Sequence, residues 1–309
     1  MKYNIKKIII GSRESMLAKA HVEIFKEKFY RKFEKNLDSE LITKFIKTSG
    51  DKFLSQNIYE IGNKGLFTKE IDLAQLDNKV DVGVHSLKDL PTRLPDGLEI
   101  VSILKRGSHQ DVLYSNKNLH LMELKQNSII GTSSIRRKNQ IFKLRPDLIF
   151  EDLRGNVDSR VGKVQKGKLD AIVLAKSGLE RLGIKKNYSS LDLNLMVPAV
   201  GQGAIALVVN VKNLRVKEIL KRLNDEDTFT EVSCERAFLE ALDGSCKTPV
   251  GAYAKIDKKG EQKIMNFRYF ASTLNGQNFI SDKKKFFLSN CMDESYNLGK
   301  DVKRQLKLV

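Results

Sequence analysis

Tryptophan is absent from this 309-residue chain, proline occurs 5 times, cysteine 3 times, and aromatic residues make up 7%. Each shortage excludes something. The cysteines (Cys234, Cys246, Cys291) are odd in number, widely spaced and without a C-x-x-C pair, so neither a disulfide framework nor a structural zinc site is expected. The four histidines (His21, His85, His109, His120) show no metal-ligand spacing, and no metal is expected. No apolar run approaches the ~20 residues of a membrane span. Ile8-Ile9-Ile10 stops at Gly11, short of the roughly 7–15 apolar residues of a secretory leader. The expectation is a cytoplasmic protein without membrane contact. Charge is unbalanced: 55 Lys and Arg against 38 Asp and Glu give a formal net charge of +17. That invites a nucleic-acid reading. The lysine clusters (Lys6-Lys7, Lys185-Lys186, Lys258-Lys259, Lys283-Lys284-Lys285) are scattered, however, and too few aromatics interleave with them to stack bases. No nucleic-acid partner is expected. A solvated lysine surface accounts for most of the charge, and a subset of arginines is left to bind a polyanionic small molecule.

What is present is alternation. Ile8–Ile10 reads as a strand, and Leu17, His21, Ile24, Phe25 and Phe29 follow at helical spacing. Leu41–Lys47 reads as a second strand. Thr68–Asn78 reads as a helix with Phe67, Ile71 and Ala74 on one face, and Val80, Val82 and Val84 alternate as a strand. Strands alternating with helices imply a mostly parallel sheet covered on both faces. The pattern then restarts. Ile9-Ile10-Gly11-Ser12 is echoed by Ile129-Ile130-Gly131-Thr132, and Lys79-Val80-Asp81 by Lys168-Leu169-Asp170, in the same order. Two similar α/β domains are expected, with a cleft of the kind in which such folds bind ligands. A smaller α+β region starts near Asn224. There Asp227 and Thr228 precede Glu231 in a capping-box pattern, and strand-like segments surround Gly251–Ala254 and Phe267–Ala271. Pro198-Ala199-Val200-Gly201-Gln202-Gly203 is a turn-rich connection, and Gly62 and Gly65 suggest a mobile lid over 53–64.

Four patterns carry chemistry, and each has a bland reading beside the sharp one. His85-Ser86-Leu87-Lys88-Asp89 follows a strand and offers an ammonium and a carboxylate, or only a helix cap with a solvated lysine. Gly131-Thr132-Ser133-Ser134-Ile135-Arg136-Arg137 combines a helix N-terminus, hydroxyls and two guanidinium forks into a carboxylate or phosphate cradle, or is an ordinary capped helix. Leu153-Arg154-Gly155-Asn156-Val157 leads to Arg160; with Arg13, Arg136, Arg137 and Arg181 these put six arginines in or near strand–helix junctions. Arginine forks suit planar carboxylates, so a ligand with many carboxylates would explain the set. Cys246, beside Lys247 in the Asp243–Pro249 loop, is a nucleophilic thiolate or a buried inert thiol.

These motifs, with Arg13-x-Ser15, Gly65-Leu66-Phe67-Thr68-Lys69-Glu70 and Gly244-Ser245-Cys246, resemble the collinear motif set of the hydroxymethylbilane synthase (porphobilinogen deaminase) family from about Ile8 to Gly251. The resemblance implies an α/β fold of two periplasmic-binding-protein-like domains of type II, 1–104 with 203–222 and 108–198, plus an α+β C-terminal domain, 225–309. It implies a transferase that condenses four porphobilinogen molecules into linear hydroxymethylbilane, with loss of ammonia. It implies a dipyrromethane cofactor on Cys246 through a thioether, a catalytic carboxylate at Asp89, and a monomer. Cofactor contacts fall on Ser86, Lys88, Thr132, Ser133, Ser134, Arg136, Arg137, Arg154, Gly155 and Arg160, and substrate contacts on Arg13, Ser15, Arg154, Arg181 and Gln202. Asp89 is expected to be buried, where a carboxylate best stabilises a cationic intermediate. Gln110, where relatives often have arginine, and Asn63, where glycine is common, depart from the pattern. The alternative is an anion-binding module of the same fold without catalysis.

Overall fold

The computed structural model describes residues 6–33, 40–52, 65–242, 249–258 and 263–308. Cys246 and its loop, the expected lid over 53–64 and Asn63 lie outside the described residues. Along the chain the elements are β1 (Lys7–Arg13), α1 (Met16–Phe33), β2 (Glu40–Ile46), α2 (Ser49–Lys52), α3 (Lys69–Leu76), β3 (Val82–Ser86), β4 (Leu98–Ile103), β5 (Asp111–Ser115), β6 (Ile129–Gly131), α4 (Ile135–Leu144), β7 (Ile149–Glu151), α5 (Val157–Gln165), β8 (Ala171–Ala175), α6 (Lys176–Arg181), β9 (Tyr188–Ser190), β10 (Ile205–Asn210), α7 (Leu214–Lys221), α8 (Glu226–Ala241), β11 (Val250–Asp257), β12 (Ile264–Ser272), β13 (Phe279–Phe287) and α9 (Cys291–Leu306). They form two compact units, 1–107 with 204–229 and 108–203 with 230–309.

The first unit holds a five-stranded sheet of order β2-β1-β3-β10-β4. The first three strands are parallel, and β10 is antiparallel to both its neighbours. Ile8, Ile10, Val82 and Val84 point to one face, where α1 lays down Val22, Phe25 and Phe29 to close the core. The opposite face is left bare at Gly11 and Gly83, which are register partners. A Cβ at Gly11 would lie 2.7 Å from a Val80 methyl, and one at Gly83 would lie 2.6 Å from Gln75 Oε1. Only glycine lets α3 approach this closely. The buried face of α3 therefore differs from the apolar stripe expected from spacing: it runs through Ile71, Asp72 and Gln75. Gln75 is tolerated because its Nε2 donates to the Val208 carbonyl at 2.7 Å.

The second unit holds a sheet of order β7-β6-β8-β5-β9, in which β5 is antiparallel to β8 and β9. In each unit's own chain order both sheets read 2-1-3-n-4, where n is the strand the chain adds on entering that unit. This is the type II periplasmic-binding-protein arrangement. The echoed motifs occupy the same place in both. Asp81 Oδ2 accepts from the Ile9 amide at 2.7 Å, and Asp170 Oδ2 from the Ile129 amide at 2.7 Å. The two aspartate amides donate back to the Ile9 and Ile129 carbonyls at 2.8 and 3.0 Å.

The same unit contains an antiparallel sheet, β11-β12-β13, whose core side chains (Phe267, Tyr269, Phe286) meet Phe238 of α8 and Val302 of α9. The capping box expected at Asp227–Glu231 is displaced. The Thr228 amide donates to Asp225 Oδ1 at 2.9 Å, and Glu231 is buried, accepting from the Ile256 amide at 3.1 Å. No described helix is long and apolar enough to cross a membrane.

Candidate active site

In the first unit the chemistry sits just past the strand ends. After β3 a single 3-10 turn, Leu87–Asp89, is anchored by Leu87, which is buried and whose amide donates to the Ala204 carbonyl at 3.0 Å. With Leu87 taking the inward position, Lys88 is half-buried and Asp89 is exposed. The expected buried carboxylate is therefore not found: in the chain alone, Asp89 faces water. His85, two residues before this turn begins, is buried. Burial, and then the charge of Arg13, push its pKa down to about 4, so its ring is neutral at pH 7.

Arg13 ends β1. Its guanidinium stacks on Phe67 at 4.3 Å and pairs with Asp51, Nη2 to Oδ1 at 2.5 Å. Burial raises the Asp51 pKa, but the hydrogen bonds from Arg13 and Thr48 and the Arg13 charge outweigh it, and the net shift is downward. The Arg13 fork expected for a substrate carboxylate thus has an internal carboxylate as partner. Ser15, expected at the substrate, accepts from the Ala18 amide at 3.3 Å at the start of α1.

In the second unit the arginine pair is organised around Asp111, the first residue of β5, which is 0% exposed. Arg137 donates to Asp111 Oδ1 from Nε at 3.1 Å and from Nη2 at 2.7 Å, and from Nη1 to the Val173 carbonyl at 2.8 Å. Arg136 Nη1 lies 2.9 Å from Asp111 Oδ2 and donates to the Val197 carbonyl at 2.6 Å. Gln202 Nε2 donates to the His109 carbonyl at 2.7 Å and to Asp111 Oδ1 at 3.1 Å. Burial opposes ionisation of Asp111, but the two guanidinium groups overcome it and hold the carboxyl far below the usual range. Burial lowers the Arg136 pKa against the pull of Asp111. Two cations and one anion leave this buried cluster with a net charge of +1.

Around it lie the other expected ligands. Ser134 caps α4, accepting from the Arg137 amide at 3.4 Å; Thr132 Oγ1 accepts from the Ser134 amide at 3.2 Å; Ser133 Oγ donates to the Leu153 carbonyl at 2.8 Å. Gly155 adopts φ +106°, which glycine alone adopts readily, and Arg160 Nε donates to its carbonyl at 2.7 Å. Arg154, beside it, is half-buried. Arg181 Nη2 donates to the Gly203 carbonyl, and burial brings its pKa down to about 10. The second unit therefore gathers Thr132, Ser133, Ser134, Arg136 and Arg137 with Arg154, Gly155 and Arg160 on adjoining strand ends. The sequence reading missed Asp111 and Asp51 as partners. Asp111 carried a signal: a carboxylate opening an apolar strand run must find a cation.

Two family models cover nearly the whole chain. The porphobilinogen deaminase dipyrromethane cofactor-binding domain matches residues 8–218, and the porphobilinogen deaminase C-terminal domain matches residues 229–307. The chain belongs to the porphobilinogen deaminase family. A porphobilinogen deaminase of Chloroherpeton thalassium is 38% identical over 300 residues, 96% of this chain and 93% of that one. One of Syntrophomonas wolfei is 41% identical over 271 residues, 87% and 86% of the two chains. Among solved structures, the second substrate-binding domain of a putative amino acid ABC transporter from Streptococcus pneumoniae overlays with a TM-score of 0.44 at 11% identity, covering 77% of this chain and 96% of that one. Membership makes the protein a transferase of porphyrin biosynthesis with a dipyrromethane cofactor, and the non-catalytic binding module is not favoured.

Proposed function

We propose that Asp89 is the catalytic carboxylate of this enzyme, which joins four porphobilinogen molecules into linear hydroxymethylbilane with loss of one ammonia per monomer. One observation carries the assignment. Asp51 and Asp111, the aspartates beside Arg13 and beside Arg136 and Arg137, are each tied to those guanidinium groups, whereas Asp89 stands exposed on a turn pinned by Leu87. When ammonia leaves a monomer, the positive charge that develops on its pyrrole is stabilised by a carboxylate placed against the ring, and the same group takes the proton the ring releases after coupling. Desolvation of Asp89 then comes from the substrate covering it, not from the fold.

The donor set of the second unit fits a group bearing several carboxylates. It offers hydroxyls and amides at the N-terminus of α4, the guanidinium groups of Arg154 and Arg160, and the buried +1 cluster behind them. Thr132, Ser133, Ser134, Arg136, Arg137, Arg154, Gly155 and Arg160, with Ser86 and Lys88, would hold the dipyrromethane, and Cys246 would carry it. When bound, that group supplies the pyrrole carbon onto which monomers are added. Arg13, Ser15, Arg154, Arg181 and Gln202 would receive the substrate acids. For Arg13 this requires exchange with Asp51. Residues 1–104 with 203–222, 108–198 and 225–309 would be the working domains of a cytoplasmic monomer.

Asp89→Asn should lower turnover at least about 100-fold while the cofactor stays attached, and Asp89→Glu should retain more activity than Asn. Near-native turnover of Asp89→Asn would refute the assignment. The purified protein should weigh one dipyrromethane more than its sequence, and Cys246→Ser should remove the increment.

A further inference from the structure

We infer that the first unit holds a second small-molecule site, for a zwitterion with a flat apolar body, an ammonium and at least one carboxylate. A cleft of about 280 Å³ runs between one face of α3 and the loop that follows the Asp89 turn. Its walls are Leu76, Leu94 and Pro95, its exposed rim carries Lys69 and Arg93, and Asp72 lies at its floor.

Asp72 is the feature that packing does not explain. Contact with the sheet is made by Ile71 and Gln75, so position 72 is not needed for it, and an apolar side chain would suit the site. Instead there is a carboxyl, 4% exposed. Oδ2 accepts from Thr68 Oγ1 at 2.8 Å, and Oδ1 has no hydrogen-bond partner. A buried carboxyl oxygen without a donor is destabilising, and breaches of this kind concentrate at functional sites. Burial, with a contribution from the Glu70 charge, raises its pKa, as expected of an acid that lacks a cation.

The lining selects the occupant. A simple anion would suit Lys69 and Arg93 but meet Asp72, and a simple cation would meet the reverse. A zwitterion satisfies both, with its ammonium on Asp72 and its acid at the rim. The volume, near the lower end of the roughly 300–1,000 Å³ of ordinary ligand sites, admits one ring with short arms. Porphobilinogen is a molecule of this class: one pyrrole, an aminomethyl group and two carboxylates. Identifying it as the occupant rests on the reading given under Proposed function. The cleft is also lined by Pro91, two residues beyond Asp89, so an occupant would sit against the segment that carries that residue. An enzyme that consumes four monomers in succession would gain a store beside the point of use.

The test uses the full-length holoenzyme and a rigid unreactive zwitterion, 4-(aminomethyl)benzoate, titrated by calorimetry with benzoate and benzylamine as controls. The zwitterion should bind at least about tenfold more tightly than either control, and Asp72→Asn and Leu76→Trp should each weaken it about tenfold or more. Leu76→Trp, which fills the cleft, should raise KM for porphobilinogen severalfold with kcat and the cofactor mass increment unchanged. Benzoate binding as well as the zwitterion, or Asp72→Asn leaving affinity intact, would overturn the site. An unchanged KM in Leu76→Trp would overturn its use as a monomer store. Loss of the mass increment in the wild-type protein would instead sink the functional reading and leave the probe result standing.

Discussion

In the first unit the carboxylate proposed for catalysis stands exposed at Asp89, on the turn beyond β3; in the second unit the corresponding strand, β8, runs through Ala175 directly into Lys176 and α6. The charged groups of the second unit lie one strand over, after β6, where the first unit has Arg13. Yet the frames match: the same strand order, the same antiparallel insertion, and the same aspartate closing onto the first strand through Ile9 or Ile129. The frame is held by buried strand faces and by that aspartate, none of which touches the strand ends. The ends are therefore free to be loaded differently, which is how one fold serves unlike chemistry.

The largest expected effect separates two aspartates. Asp111→Asn should cost about 3–5 kcal/mol in urea unfolding, because it leaves two buried guanidinium groups without their counter-ion. Asp89→Asn, an exposed change, should stay within about 0.5 kcal/mol of wild type. If both variants prove equally stable, Asp111 is not what organises the arginine pair, and the contrast between the units fails.

Acid should sharpen the same contrast. His85 titrates near 4 when folded and near 6.5 when unfolded. Below about 6.5 the unfolded chain takes up a proton that the fold refuses, so stability falls as pH drops from 6.5 to 4, by about 3 kcal/mol for a shift of this size. Asp111 behaves differently. Its folded pKa is depressed, so its contribution is complete above the ordinary aspartate value of 3.8 and is lost only below it. Asp72, with a raised pKa, works in the opposite sense just above 3.8 and offsets part of the His85 loss. His85→Asn should flatten the stability profile between pH 6.5 and 4 and leave the fall below 4 in place. An unaltered slope in the upper window would show that His85 is not its source.

How much of this the sequence disclosed depended on whether the deciding contact was local. Ile8–Ile10 and the α1 stripe through Phe25 and Phe29 are periodic, and the structure has them where spacing put them. The repeat was visible because Asp81 and Asp170 keep a fixed offset from the strand that follows. The buried face of α3 was misjudged because it depends on Gly11 and Gly83, distant in sequence, leaving room for Gln75. Strand β13 went unread because as an edge strand it exposes Lys283, Lys284 and Lys285, which guard an edge but erase apolar alternation. The arginines stand out in the sequence as a cationic set, but spacing could not show which of them an internal carboxylate holds. Asp111 lies 26 residues from Arg137 and Asp51 lies 38 from Arg13.

The smallest expected effect tests the likeness itself. Asp81 and Asp170 each accept one backbone amide, so Asp170→Ala should cost about 1 kcal/mol, the usual worth of one such bond. Asp81 has one partner more, since Asn213 Nδ2 donates to its Oδ1 at 3.1 Å. Asp81→Ala should therefore cost about 2 kcal/mol by the same measure. Asn213 also caps α7, accepting from the Val216 amide at 3.4 Å, so Asn213→Ala alone mixes two losses. A double-mutant cycle removes the ambiguity, because the lost cap is common to both arms of the Asn213→Ala background and cancels. In that background Asp81→Ala should fall to about 1 kcal/mol, the value for Asp170→Ala. Equal costs there would show one device used twice. A persistent excess at Asp81 would mean that the clamp of the first unit holds something the second lacks, and the two frames would be alike in order but not in energetics.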